Sequence, residues 1–457
     1  MLINNYDTME TNIKTEPIER LIKPINDFLH KEASGGILLI ITTVIAVLWS
    51  NSTFSDSYHN LWHTHLSISL GTLFTLDYTI HHWINDGLMA VFFFTVGLEI
   101  KRELMVGELS SMRKASLPVA GAIGGMILPA LIYLIFNQDG PGVRGWGIPM
   151  ATDIAFVVGI MALLGPKIPL SLKIFVLALA IADDIGAVLV IAIFYTAEIS
   201  APAMLIAAAV LIVLFILNKL GTKSLIVYTF FGIILWLAFL KSGIHATVAG
   251  VLFAFTIPAY SRYDTKKFSD TVRSLINNFD SKGDHWKNIL NSSERQNDVL
   301  AIESSCEKVL TPLQRFEHDL HPWVSYFIIP LFALANAGVS IKEINFIEAL
   351  LKPVSIGIIT GLFIGKQLGI FIFSMLAVKF KLAYLPEGVN LRNLYGAGIL
   401  AGVGFTMSLF IAGLAFDNPD ILDTAKIGVL TGSLISGITG FIFLKMGSRK
   451  EKSSTEI

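Results

Sequence analysis

Residues 175–195 read FVLALAIADDIGAVLVIAIFY, an apolar run with two adjacent carboxylates, Asp183 and Asp184, at its middle. A helix that crosses a bilayer needs about 20 mainly apolar residues, so this run is long enough to do so. A charged carboxylate near the bilayer centre costs roughly 2.5–3.5 kcal/mol on insertion scales. A salt bridge that only ties two helices together would need one carboxylate. The pair therefore indicates a function inside the membrane.

The composition assigns the whole chain to the same environment. Of its 457 residues, 53% are hydrophobic and 15% are charged, whereas soluble domains carry about 25% charged residues. The net charge of −1 argues against a nucleic-acid partner. The single cysteine, Cys306, excludes an intramolecular disulfide and a cysteine-based metal site. We therefore expect an all-α integral membrane protein that binds no cofactor.

Apolar segments that could cross the membrane recur along the chain. They lie at about 34–51, 83–100, 116–136, 147–165, 171–196, 203–218, 224–240, 243–259, 322–337, 354–378, 396–416 and 424–446. With twelve spans and the N-terminus inside, 28 of the 34 Lys and Arg residues fall on the cytoplasmic side, and 5 fall outside. Because loops rich in Lys and Arg stay cytoplasmic, this asymmetry supports twelve spans and two cytoplasmic termini.

The chain then divides into five parts. A cytoplasmic N-terminal extension with an amphipathic helix occupies 1–33, and the first eight spans occupy 34–259. A polar cytoplasmic insertion follows at 260–312, then four more spans at 313–446 and a cytoplasmic tail at 447–457. This division predicts two helical blocks that the insertion separates.

Two connections carry their own secondary-structure signals. Residues 64–80 contain two β-prone runs around Gly71-Thr72, which predicts a small extracytoplasmic β-hairpin. Its edge could pair with a second copy of the chain. The end of the insertion, from Val299 to Leu320, turns amphipathic and is expected to lead into the ninth span as a helix.

Two spans contain residues that interrupt helices. The fourth carries Pro149 just before Thr152 and Asp153, and the eleventh reads GAGILAGVGFTMSLFIAG over 396–413. Proline breaks the helical hydrogen-bond ladder. The glycines alone would equally suit tight helix packing. Taken together, these spans are the interrupted middle members of two trios, spans 3–5 and 10–12, as in inverted-repeat transporters with a midplane site. Asp153 would offset the positive ends of the half-helices, and Lys366 the negative ends.

Lys366 lies in the middle of the tenth span and needs an acidic partner. Neighbouring helical residues point about 100° apart, so Asp183 and Asp184 cannot easily face the same group. We assign Asp183 to Lys366 and leave Asp184 as an open cation ligand. A site of this kind can hold protons or a small hard cation but not both. Competition of that kind, with alternating access, is the chemistry of an antiporter.

Charged residues also mark the ends of the spans. Asp86 lies near an outer boundary and suits equally a funnel mouth or a helix cap. Clusters at the inner ends of the second and ninth spans are most simply solvated boundaries, although mixed Glu, Arg and His could also sense pH. The first cluster is Glu99, Lys101, Arg102 and Glu103, and the second is Glu317, His318, Asp319 and His321.

Several long motifs resemble the NhaA sodium/proton antiporters. They are ATDIAF, ALAIADDIGA, GLFIGKQLG, AGVGFTMSLFIAG, WINDGLMAVFFFTVGLEIKREL, LKSGIHATVAGV, HPWVSYFIIPLFALANAGVS and LAYLPEGV. The resemblance covers about 34–258 and 313–446. It departs from the family pattern in the long extension before about Glu32 and in the large insertion at 260–312, which leads directly to Glu317 and so touches the proposed pH sensor.

The resemblance implies twelve transmembrane helices with crossed discontinuous helices 4 and 11, and a homodimer joined through the 64–80 hairpin. It implies exchange of cytoplasmic Na⁺ or Li⁺ for external protons across a bacterial inner membrane. Asp183 and Asp184 would be the transport carboxylates, with Thr152 and Asp153 at the crossing and Lys366 essential to the site. The resemblance also implies that pH regulation lies at the inner ends of spans 2 and 9. The residues concerned are Glu99, Arg102, Glu103, Glu317, His318 and His321.

Two other functions are weaker interpretations of the same residues. An intramembrane aspartyl protease needs two aspartates from different helices around one water, whereas Asp183 and Asp184 are adjacent on one helix. A sodium-coupled symporter of a small organic solute remains the main alternative. Against this alternative, the site around Asp183 and Asp184 lacks Arg or aromatic residues placed to hold such a solute. We therefore expect a transporter and not an enzyme.

Overall fold

The computed structural model describes residues 34–71, 74–165, 168–196, 199–260, 265–281, 292–340 and 346–454. The amphipathic helix predicted within 1–33 lies outside these residues. The described chain is mostly helical, as the composition predicts. It also contains one small β-sheet.

The first half of the chain contains nine α-helices and one 3₁₀ helix among its described residues. The α-helices are α1 (Ser34–Ser50), α2 (Ser55–His63), α3 (Ile80–Val106), α4 (Met112–Phe136), α5 (Ile154–Leu164), α6 (Leu170–Phe194), α7 (Ala201–Leu220), α8 (Leu225–Leu240) and α9 (Ala246–Thr256). The 3₁₀ helix, Pro141–Met150, precedes α5. A π-helical turn, Trp83–Leu88, lies inside α3.

The second half continues in the same way. Its helices are α10 (Thr265–Ser281), α11 (Ser293–Val309), α12 (Pro312–Trp323), α13 (Ile329–Asn336), α14 (Phe346–Leu351), α15 (Pro353–Lys379), α16 (Leu391–Leu400), α17 (Phe405–Ala415) and α18 (Pro419–Ser454). A π-helical turn, Val324–Ile328, joins α12 to α13, and another, Gly361–Gly365, lies inside α15.

Many of these helices have the length and composition of membrane spans. Seven qualify within the described residues, and up to nine do so if each sharply bent helix pair is one span. Helices α8 and α9 are apolar but shorter. The chain is therefore a multi-pass membrane protein, and the predicted number of twelve spans stays a prediction.

Helix α6, which carries Asp183 and Asp184, lies at the centre of the bundle. It packs against α3, α4, α5, α9 and α16. Its buried residues extend from Leu172 to Ile191 and cover every side of the helix. A helix that is apolar all round is typically enclosed by others, and this enclosure removes the two carboxylates from both water and lipid.

The predicted β-hairpin is confirmed. Strands β1 (His65–Leu70) and β2 (Phe74–Thr79) pair antiparallel, with His65 opposite Thr79. Ser67 Oγ donates a hydrogen bond to Asp77 Oδ1 over 2.6 Å, and His65 Nδ1 lies 3.2 Å from the same oxygen. These two contacts, that from Ser67 first, lower the pKa of Asp77 because they stabilise its ionised form.

The insertion contains two helices, α10 and α11, which pack against each other. The helix expected from Val299 to Leu320 is present except for a break, since α11 ends at Val309 and α12 begins at Pro312. Proline has no amide hydrogen to donate and disfavours helical geometry in the preceding residue, so it suits a first helical position. Thr311 is accordingly extended and forms a capping box with Gln314.

Glycines let α4 and α15 approach closely. A β-carbon at Gly124 would lie 2.2 Å from the Gly369 carbonyl oxygen, and one at Gly369 would lie 2.1 Å from the Gly124 carbonyl oxygen. Both contacts are with backbone, which cannot turn aside as a flexible side chain can. Close backbone approach through small residues is a general way in which membrane helices associate.

Replacing Gly369 with alanine should therefore destabilise the protein. Overpacking of this kind typically lowers the free energy of unfolding by about 1–3 kcal/mol. Gly413→Ala is the matched control, because a β-carbon at Gly413 would meet nothing within 4 Å. Unfolding midpoints of the two purified variants, compared in one detergent, test the difference. Equal midpoints would contradict the close contact.

Candidate functional site

Each of the two predicted interruptions is a break between two shorter helices. Residues 151–153 separate the 3₁₀ helix from α5, and Ala151 is extended. Residues 401–404 separate α16 from α17, whose axes differ by 46°. The breaks leave backbone groups without partners in their own helices. Inside a membrane such groups must find partners within the protein.

The two breaks supply these partners to each other. The Asp153 amide donates to the Val403 carbonyl over 2.7 Å. Thr152 Oγ1 donates to the Ala401 carbonyl over 2.9 Å, and Ser408 Oγ donates to the Ile148 carbonyl over 2.7 Å. The two interrupted segments therefore meet at their breaks, where the sequence places Thr152 and Asp153.

The Asp153 carboxylate contacts the first turns of both following half-helices. Oδ1 accepts from the Phe156 amide of α5 over 3.0 Å. Oδ2 accepts from the Thr406 amide over 3.1 Å and from Thr406 Oγ1 over 2.6 Å, at the start of α17. A carboxylate is stabilised at the positive N-terminal end of a helix. The expectation that Asp153 offsets such ends is confirmed.

Sequence analysis missed Thr406. A threonine inside an apolar helix commonly bonds to the preceding turn of its own helix, so the residue type alone does not indicate a role for Thr406. The position directly after the break at Gly404 was the available signal. It places the residue in a first helical turn, where side chains and amides are free to bind an acceptor.

Thr406→Val is expected to destabilise the protein while Thr406→Ser does not. Valine removes the hydroxyl that donates to Asp153, and a hydrogen bond to a charged group contributes about 1.5–3 kcal/mol. Serine keeps the donor. Thermal unfolding of both variants measures the difference, and a valine variant as stable as the serine variant would show that this hydroxyl is dispensable.

Lys366 and Asp183 form a buried ion pair. Lys366 Nζ lies 2.7 Å from Asp183 Oδ2, and the two side chains are only 1% and 2% exposed. The partner that the sequence analysis assigned to Lys366 is thereby confirmed. The ammonium donates to Asp183, whereas the Ala401 and Val403 carbonyls in the break after α16 accept from Thr152 and from the Asp153 amide.

Asp184 is buried beside this pair. The charges of Asp183, Glu99 and Asp153 repel that of its carboxylate, and the charge of Lys366 attracts it. Within the described chain, Oδ1 of Asp183 and Oδ1 of Asp184 accept no hydrogen bond. Buried polar atoms without partners are costly. An excess of negative charge with open oxygens suits a proton or a small hard cation, which prefers oxygen ligands.

The predicted inner-boundary residues come together only in part. Arg102 binds Glu317 of α12 and lies 3.3 Å from Glu103 Oε1 through Nη2. Glu99 lies within electrostatic reach of all three. His318 and His321, in contrast, are exposed on α12. The structure therefore unites α3 and α12 through Arg102 and leaves the two histidines at the surface.

Asp86 lies in the π-helical turn of α3. Its Oδ2 is 3.2 Å from His82 Nε2, within ion-pair distance but without hydrogen-bond geometry. The helix-cap alternative is wrong, because the residue that caps this helix is Thr79, whose side chain accepts from the His82 amide. Among the described residues, the Asp183–Asp184 site included, no group of three or more His, Cys, Asp or Glu side chains is placed to hold a metal ion.

Two broken membrane helices that meet beside a buried ion pair define a class of protein, the secondary transporters with discontinuous helices. The family model described as Na⁺/H⁺ antiporter 1 matches residues 26–444. The chain belongs to this family. The resemblance identified from the motifs is thus confirmed, and the family is one of transporters.

Individual relatives match over nearly the full length of the chain. A protein of Oleidesulfovibrio alaskensis named Na(+)/H(+) antiporter NhaA is 47% identical over 441 residues, 96% of this chain and 98% of the relative. The proteins of the same name from Koribacter versatilis and Wolinella succinogenes are 48% and 45% identical, over 94% and 93% of this chain and over 93% and 94% of the relatives, respectively.

Proposed function

We propose that the protein exchanges cytoplasmic Na⁺ or Li⁺ for external H⁺ by alternating access, and so contributes to pH and sodium homeostasis. Membership of a family of Na⁺/H⁺ antiporters supports exchange. Neither the family nor its named relatives support the alternative of a symporter of an organic solute. The observation that carries the proposal is the open oxygen of Asp184 beside the Asp183–Lys366 pair.

The exchange follows from competition for these oxygens. A cation that enters the site binds the open carboxylate oxygens of Asp183 and Asp184, with the Thr152 hydroxyl oxygen close to Asp183. Its positive charge favours the ionised carboxylates, so bound protons leave. Proton binding from the other side has the opposite effect and releases the cation. Because the groups interact strongly, they titrate as a set.

The membrane arrangement of the proposed transporter has twelve spans and two cytoplasmic termini. The distribution of Lys and Arg supports it, since even without the 260–321 loop the cytoplasmic side holds 19 of these residues and the outside holds 5. The same arrangement makes 260–312 a cytoplasmic insertion and 447–457 a cytoplasmic tail. The two broken segments support an inverted repeat, and the family resemblance supports a bacterial inner membrane.

The proposed homodimer forms through the 64–80 hairpin. Within the described residues the sheet has two strands, so each strand has one edge that a second copy could pair with. Exposed side chains of Leu66 and Ile68 on β1 add apolar surface there. Thiol crosslinking of the Ser69→Cys variant in membranes would detect the dimer. A monomer at every crosslinker length would argue against the proposed dimer.

The proposed pH response lies at the inner ends of α3 and α12. The contact of Arg102 with Glu317 supports it, because this ion pair links the two helices and a change of charge in the cluster would weaken that link, whereas Glu103 lies on α3 beside Arg102. The exposed His318 and His321 would contribute through their charge alone. Asp86 is the proposed outer entrance, with His82 as the cation that it meets when this histidine is protonated.

Proton movement in inside-out membrane vesicles tests the proposed function. Respiration first acidifies the vesicle interior, and Na⁺, Li⁺ and K⁺ are then added in turn across a range of pH. Exchange predicts that Na⁺ and Li⁺ dissipate the pH gradient without any organic solute. A pH gradient that Na⁺ and Li⁺ leave unchanged would overturn the proposal, because a symporter of Na⁺ and a solute moves no protons.

A further inference from the structure

A cavity of about 480 Å³, lined by none of the ion-site residues, lies where four helix ends meet. It lies between the last turn of α4, the start of the 3₁₀ helix, and the first turns of α15 and α18. The distribution of Lys and Arg places these ends on the outer face of the membrane. Its volume is within the roughly 300–1,000 Å³ of ligand pockets.

The walls of this cavity carry charges of both signs. Lys352, at the start of α15, lines it, as do Asp139 after α4 and Asp420 in the first turn of α18. The first turn of α15 also has no side-chain cap, whereas Asn418 caps α18 by accepting from the Asp420 amide over 2.9 Å. An anionic group is therefore favoured beside Lys352, and a cationic group is favoured beside the two carboxylates.

Part of the remaining wall is apolar and exposed. Ile135 and Phe136, in the last turn of α4, line the cavity and are 65% and 42% exposed. Leu351, next to Lys352, is 68% exposed. Large apolar side chains exposed at the end of a membrane helix lie against acyl chains. A ligand in this cavity would have a zwitterionic part inside and an apolar part outside.

We propose that this cavity binds a phospholipid whose headgroup carries a phosphate and a primary ammonium, as in phosphatidylethanolamine. The phosphate lies beside Lys352, and the ammonium donates hydrogen bonds to Asp139 and Asp420. The acyl chains continue along Ile135 and Phe136. A trimethylammonium headgroup cannot donate these hydrogen bonds, and a purely anionic headgroup would meet the two carboxylates.

The lipid would connect helix ends that belong to different parts of the transporter. The 3₁₀ helix that begins at Pro141 is one half of the broken fourth segment, and Tyr133 Oη of α4 already donates to the Gly142 carbonyl over 2.6 Å. Asn137 joins α4 to α15 by donating to the Pro353 carbonyl over 3.0 Å. A headgroup between the same elements adds a third link.

Lipid binding to the purified full chain tests the proposal. The protein is delipidated in detergent, and the dissociation constants of phosphatidylethanolamine, phosphatidylcholine, phosphatidylglycerol and soluble phosphoethanolamine are measured. Charge-assisted hydrogen bonds predict that phosphatidylethanolamine binds about tenfold or more tightly than the other lipids. Equal affinity for all three lipids would overturn the proposal. Soluble phosphoethanolamine binding as tightly would overturn its lipid source.

Matched variants show whether binding occurs in this cavity. Asp139→Asn together with Asp420→Asn should remove the preference for phosphatidylethanolamine over phosphatidylcholine, and Lys352→Gln should weaken both. Both aspartates are exposed, so these changes leave the core intact. Asp270→Asn, on the exposed face of α10, is the control and should change neither value. A preference that persists in the double variant would place the lipid elsewhere and contradict the assignment.

Discussion

Asp184→Asn is expected to abolish Na⁺-driven proton exchange while leaving the protein folded. Asparagine keeps the shape of the side chain but can neither bind a proton at neutral pH nor balance the charge of a cation. Loss of an interaction with a charged group is worth about 3 kcal/mol, which corresponds to about 100-fold in affinity or more. Dissipation of a pH gradient in inside-out vesicles, with Na⁺ and with Li⁺, measures the effect.

The control for this experiment separates transport from folding. Asp270→Asn removes an equally sized carboxylate from the exposed surface of α10 and should exchange normally. The amount of Asp184→Asn protein in the membrane and its elution as a single species should match those of the parent chain. Undiminished Na⁺-dependent exchange in the Asp184 variant would exclude this residue as the ion-binding group.

Lys366→Met is expected to be strongly destabilising. It leaves the Asp183 carboxylate buried without the ammonium that lies 2.7 Å away. Removing one partner of a buried pair typically lowers the free energy of unfolding by about 3–5 kcal/mol. Asp183→Asn combined with Lys366→Met should recover most of that loss, because it leaves no isolated charge. Unfolding of the single and double variants in one detergent measures both effects.

A surface lysine provides the comparison for this pair. Lys219 is exposed at the end of α7, and Lys219→Met should change the unfolding midpoint little. If the double variant were as unstable as Lys366→Met alone, the ammonium would contribute through packing rather than through its charge. The recovery in the double variant is therefore the result that depends on the ion pair.

The residues that sequence analysis placed correctly are those whose side chains are expensive in a membrane. A lysine at the middle of an apolar span must have an acid beside it, which is why Lys366 led to Asp183. Pro149 predicted a break, and the carboxylate directly after a break predicted the capping role of Asp153. Such inferences rest on the local energy of one group and need no knowledge of the fold.

Other features depend on distant parts of the chain and escaped the sequence analysis. The role of Thr406 depends on its hydrogen bond to Asp153, which lies 253 positions away in the chain. Helix α10 and the part of α11 before Val299 were also missed, because their many polar residues resemble those of a loop.

Asp153 also limits how the site can change its access. Its two oxygens bind the first turns of α5 and α17 at once, and these half-helices belong to different broken segments. Rotating one half-helix alone would take donors away from a buried carboxylate, which is unfavourable. The two half-helices should therefore turn as a single rigid body, with Asp153 as its pivot. The pathway to Asp184 would then open where this rigid body meets the surrounding helices. The contact between the two breaks would stay intact.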